Sequence, residues 1–176
     1  MNKTAEERIT QSRVRLLLTK PFFGQLAVRL KIEDASSYIP TAATDGRRFM
    51  FNRDFVNSLP DEMLDFLVGH EVLHCVFDHM TRREDRDPQI HNIAADYIVN
   101  NTLVRDRIGD KPKDIPIFQD FKYDGWSSEA VYDDIFEKYD QEELDQLGKL
   151  LDEHVDWEKG NTPGQPKTGK SKSNKP

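Results

Sequence analysis

The chain has 176 residues, 36% of them hydrophobic and 32% charged, with a formal net charge of −7. That is enough for one domain with its own core, and no apolar run approaches the roughly 18 residues a membrane-crossing helix needs. Residues 160–176 carry four lysines and no acid, so the remainder holds a net −11 and repels nucleic-acid phosphates, leaving the tail as the only opening for DNA.

In chain order, the first predicted element is a helix over about 4–19, with Ile9, Leu16 and Leu17 apolar among charges and Pro21 closing it. In FFGQLAVRLKI, Leu26, Val28 and Leu30 alternate with Ala27, Arg29 and Lys31, which predicts a strand. A second extended piece falls near residues 37–43. Asp45-Gly46 is a turn signal, and RRFMFN (47–52) after it reads as another strand. Together these predict a small antiparallel or mixed sheet with hairpin connections.

Ser58, followed by Pro60 and Asp61, predicts a helix start resembling a capping box. The helix then runs through MLDFLVGHEVLHCVFDHM, residues 63–80. After the charged loop TRREDRD, Asp87-Pro88 opens a second helix through IHNIAADYIVNNTLV that ends near Gly109. Residues 110–125, with Phe118, Phe121 and Tyr123, predict an ordered loop. Ser127 caps a further helix with a Val131, Tyr132, Ile135, Phe136, Tyr139 stripe, and a last acidic helix covers about 141–156. Residues 160–176 are rich in Gly, Pro, Ser and Lys and cannot offset their ordering entropy, so the expected organisation is one domain over 1–159 and a disordered basic tail. The start MNKTAEERIT lacks a secretory pattern, and the single cysteine, Cys75, suits a reducing compartment. The expectation is a cytoplasmic protein without membrane attachment.

The chemistry-bearing segment is His70-Glu71-Val72-Leu73-His74, an H-E-x-x-H pattern. Helical spacing puts His70 and His74 on one face, where two imidazoles can bind one Zn²⁺. Glu71 beside them can take the proton of a zinc-activated water. Phe66, Leu67, Val68, Val76 and Phe77 surround the motif, and burying two histidines and a glutamate without partners would be costly. The bland reading is a pair of hydrogen-bonded core histidines with Glu71 at the surface.

Catalytic zinc takes three protein ligands and keeps one position open. Asp78, His79, His91, Asp96 and His154 are the candidates for the third. Asp96 fits best: it sits mid-helix among Ile93, Ala94, Ala95, Ile98 and Val99. Asn92 and Asn100 flank it at i−4 and i+4 and read as groups that hold it in place. The alternative is a buried polar network joining two helices. Cys75 points away from the histidines and reads as a core residue, and Arg82, Arg83 and Arg86 read as a solvated loop with some chance of touching substrate.

GHEVLHCVFDHMTRR followed by IHNIAADYIVN resembles a group of bacterial and phage metallopeptidases whose chains usually continue into a von Willebrand factor A-like domain. The likeness covers most of residues 5–157 and includes TAATDGRRFMFN, GWSSEAVYDDIF and DEHVDW. It implies a zincin-like α+β fold, with the sheet packed on the HExxH helix and on a second ligand-bearing helix, and a helical C-terminal part. It implies His70 and His74 as zinc ligands, Glu71 as catalytic base and Asp96 as third ligand. In zincin-like folds an edge strand beside the metal helix can hold a peptide by strand addition, and residues 47–52 are the candidate. The reading that results is a zinc metallo-endopeptidase acting on a protein or peptide, with a separate chain replacing the further domain. Two alternatives stay open: a catalytically silent, metal-stabilised adaptor, and a peptidase guided to DNA by the basic tail.

Overall fold

The structure is a computed structural model and describes residues 2–77, 83–113 and 117–149. Helix α1 (Ala5–Thr19) starts in a capping box of Thr4 and Glu7. The next segment departs from the strand pattern: Pro21–Ala27 is helix α2. Pro21 occupies its first turn, and Phe23, Gly24 and Ala27 are buried at helical spacing while Val28 is exposed. Helix wins over strand here because Gly24 meets α1 backbone to backbone. A Cβ at Gly24 would lie 2.2 Å from the Leu17 Cα.

Strands β1 (Lys31–Asp34), β2 (Ala42–Thr44) and β3 (Arg48–Phe51) form a mixed sheet in the order β1-β3-β2. β1 runs parallel to β3, with Ile32 opposite Phe49, and β2 runs antiparallel to it, with Ala43 opposite Met50. The Asp45-Gly46 turn joins β2 to β3 as predicted. The Asp45 carboxylate accepts from the amides of Arg47 and Arg48, at 2.9 and 2.7 Å. β3 is therefore central, which overturns the expectation of a free edge at residues 47–52. The edge that packs on the HExxH helix is β2.

Ser58 ends a short helix, α3 (Arg53–Ser58), which the sequence pattern does not announce. Asn52 caps it by accepting from the Phe55 amide. Ser58 is thus not the cap of the following helix; α4 (Asp61–Val76) starts behind Pro60 with no side-chain cap. Helix α5 (Pro88–Arg105) is capped by Asp87 as expected. A 3-10 turn (Phe121–Tyr123) leads to α6 (Ser128–Lys138), capped by Ser127, and to α7 (Gln141–Lys149). On α6, Val131, Tyr132 and Ile135 are buried, but Phe136 is exposed and off the predicted stripe. The parts predicted as helix at 78–80 and 150–156, and the tail, lie outside the described residues. The architecture is α+β, and no helix among the described residues is long and apolar enough to cross a membrane.

Two apolar cores flank the α4–α5 pair. One joins α1, α2, the sheet and α4 through Ile9, Leu16, Phe23, Phe49, Phe51 and Leu64. The other joins α5 to α6 and α7 through Ile90, Ile93, Tyr123, Val131, Ile135 and Leu144. Each large side chain so buried contributes about 1.5–3 kcal/mol. Within the first core's elements, α1 is also tied to α4 by Asp65, which accepts from Ser12 Oγ at 2.6 Å and from Arg15 Nη2 at 2.7 Å.

The end of α5 is pinned to the start of α4 at Gly109. Its φ is +59°, and a Cβ there would lie 2.3 Å from the Glu62 carbonyl oxygen and 2.5 Å from the Phe66 nitrogen. Both neighbours are backbone and cannot move aside. Gly109→Ala should therefore destabilise the fold by about 3 kcal/mol, read as a lower urea midpoint at unchanged m-value.

Candidate metal centre

Helix α4 carries apolar residues almost all round because both sides of it are covered. His70, Glu71 and His74 are its buried polar residues, only 7%, 1% and 6% exposed. The face bearing the two histidines meets α5, whose row Asn92, Asp96 and Asn100 is equally buried. The sequence therefore places two polar rows in a closed interface, where each group must find its partner in the other row.

The partners converge. His70 Nε2 and His74 Nε2 lie 3.0 Å apart. Asp96 Oδ1 lies 3.0 Å from His74 Nε2 and 3.4 Å from His70 Nε2. A tetrahedral ion with ligands at about 2.0–2.1 Å would separate its donors by about 3.3–3.4 Å. The three atoms form a triangle whose edges come within about 0.4 Å of that separation. Among the described residues, His70, His74 and Asp96 are the group that could hold a metal ion.

Charge explains the rest of the arrangement. Burial pulls the His70 pKa down, but the Asp96 carboxylate pushes it up further, to about 9. Burial and the neighbouring His70 charge hold His74 below its ordinary value. Burial alone would raise Asp96, yet its bonds to both imidazoles keep it far below the usual carboxylate range. The three groups are thus electrostatically coupled, with Asp96 favouring the protonated form of His70. Glu71 adds its negative charge to the effect on His70.

The expected supporting groups fall differently. Spacing predicts Asn100 as a support of Asp96, but its Oδ1 lies 2.8 Å from His70 Nδ1. The Asn92 Nδ2 is buried and has no hydrogen-bond partner. His91 is buried on α5 close enough to depress His74, but it is not one of the converging donors. Asp78, His79, Arg82 and His154 lie outside the described residues. Cys75 faces Thr44 Oγ1 at 3.3 Å on another side of α4, as a core residue would. That side also borders a cavity of about 240 Å³, lined by Leu30, Gly46, Val72 and Val76, which the sequence did not announce. Arg86 lies over the Tyr132 ring, 5.8 Å from its centre.

A helix-borne pair of histidines and a cross-helix aspartate, closed inside an α+β domain, define a protein built around a possible metal site. The chain belongs to the family described as "Putative metallopeptidase domain", whose sequence model matches residues 4–175. No curated protein matches the chain, and no solved structure does.

The His70 shift gives a test. A group raised in the folded state stabilises below its unfolded pKa, and that contribution is lost as pH rises through the folded value. His70 should thus stabilise the metal-free fold at pH 6.5 and cease to do so by about pH 9. A cation competing for the same nitrogen should release about one proton at pH 7. Titration calorimetry in two buffers of different ionisation heat would read that proton. Zero release would show that His70 is already neutral.

Proposed function

We propose that this domain is a zinc-dependent peptidase in which His70, His74 and Asp96 hold the ion and Glu71 is the general base. The observation that carries the reading is the triangle of donors at 3.0, 3.0 and 3.4 Å, set beside a glutamate on the same helix. Two imidazoles and one carboxylate suit zinc, and three protein ligands leave a fourth position for water or substrate. When bound, zinc supplies a Lewis acid that polarises the scissile carbonyl and lowers the pKa of water from 15.7 to about 7.

The chain's own groups do the remainder. Glu71, adjacent to His70 in sequence and fully buried, takes the proton from the attacking water and returns it to the leaving nitrogen. Its seclusion from solvent strengthens every charge interaction it makes. Asp96 keeps the two imidazoles facing one point. The fold is zincin-like in this reading, and an extended peptide adds to the edge of β2, the strand packed on α4. The substrate is a protein or peptide segment.

One observation favours a second reading. The donors are at most 7% exposed, and an ion sealed from solvent would be cut off from a substrate. A silent, metal-stabilised adaptor would bind zinc and melt lower without it, yet hydrolyse nothing.

Elemental analysis should find about one zinc per chain in the wild type and strong loss in His74→Ala and Asp96→Asn. Glu71→Gln should keep the zinc while cleavage of an unfolded protein falls by about 10²–10⁴-fold. Chelation should abolish cleavage, and zinc should restore it. Cleavage at the wild-type rate in Glu71→Gln would remove Glu71 from the mechanism. Zinc without cleavage in any variant would leave the adaptor.

A further inference from the structure

Residues 117–120 are irregular backbone leading into the 3-10 turn, so their amides and carbonyls need partners from elsewhere. Two consecutive asparagines of α5 supply them. Asn100 Nδ2 donates to the Phe118 carbonyl at 2.9 Å. Asn101 Nδ2 donates to the Asp120 carbonyl at 2.7 Å, and Asn101 Oδ1 accepts from the Asp120 amide at 3.1 Å. Both asparagines are 2% exposed. Asparagine is a weak helix former, so two in succession inside a helix call for a tertiary reason.

The reason reaches the metal-capable cluster. A carbonyl can only accept, so Phe118 O decides which end of the Asn100 amide faces it. The other end, Oδ1, must then face His70 Nδ1 and can only accept from it. Nδ1 therefore carries a hydrogen, and Nε2 is the nitrogen turned toward His74 and Asp96. A chain of hydrogen bonds thus runs from the backbone at 118 through Asn100 to the imidazole.

We propose that Asn100 is a positioning residue for the metal centre, and that the seating of residues 117–120 and cation binding at His70, His74 and Asp96 are thermodynamically coupled through it. The inference rests on the triad holding a cation and is independent of whether the domain hydrolyses anything. Coupling of this kind is reciprocal: zinc tightens the seat of 117–120, and a well-seated segment raises zinc affinity.

Zinc affinity and amide exchange at Asp120, in the full chain, test it. In the wild type, zinc should slow Asp120 exchange by about tenfold or more. Asn100→Leu should lose about 10–100-fold in zinc affinity, and its Asp120 exchange should no longer respond to zinc. Asn100→Asp keeps an acceptor for His70 but has no donor for Phe118. It should hold zinc within about tenfold of wild type while losing the zinc response at Asp120, and it serves if the leucine variant does not fold. In zinc-loaded wild type, a slowly exchanging His70 Nδ1–H should be visible by NMR, and Asn100→Leu should lose it. Wild-type zinc affinity in a folded Asn100→Leu overturns the proposal alone, as does indifference of wild-type Asp120 exchange to zinc. No zinc binding by the wild type overturns the metal reading beneath it.

Discussion

Two imidazoles and a carboxylate are buried together between α4 and α5, where each has the others as partners. An uncompensated charge in an apolar interior costs several kcal/mol or more, so the pairing of His70 and His74 with Asp96 is a condition for the two helices to pack at all. The apolar cores on either side press the helices together. The polar seam between them sets which residues must face each other. Packing and chemistry are therefore one constraint, and the donor triangle is what the seam looks like when it is satisfied.

The same constraint explains why the supporting elements are where they are. Gly109 and Gly24 remove side chains where backbones must touch, and both contacts hold α4 in place, one directly and one through α1 and α2. Asp65 fastens α1 to α4 through Ser12 and Arg15. The sheet is small, but its central strand β3 puts Phe49 and Phe51 into the core that supports α4. A site of three donors needs its ligands held to within fractions of an ångström, and a closely packed helix pair provides that better than loops do.

Much of this was legible beforehand, and the misses have physical causes. Asp87 and Ser127 announced their helices because capping is chemistry between near neighbours. The strand pattern at Leu26, Val28 and Leu30 misled because a seven-residue helix carries only two turns of periodicity, and contact with α1 through Gly24 decided it. Residues 47–52 were read as a strand correctly but placed at the edge. Alternation along a chain says which faces are covered and nothing about which neighbours flank the strand.

By itself the sequence determined that His70 and His74 share one face of a helix with Glu71 beside them, and that Asp96 interrupts an apolar helix with asparagines one turn to either side. These are properties of helical spacing, and spacing is local. Only the tertiary structure decided who meets whom: Asp96 reaches both imidazoles, Asn100 turns to His70 instead of Asp96, and the Phe118 carbonyl orients Asn100. The crossing and register of α4 against α5 settle those contacts. They arise from side chains far apart in sequence filling two cores at once, a balance that no local pattern records.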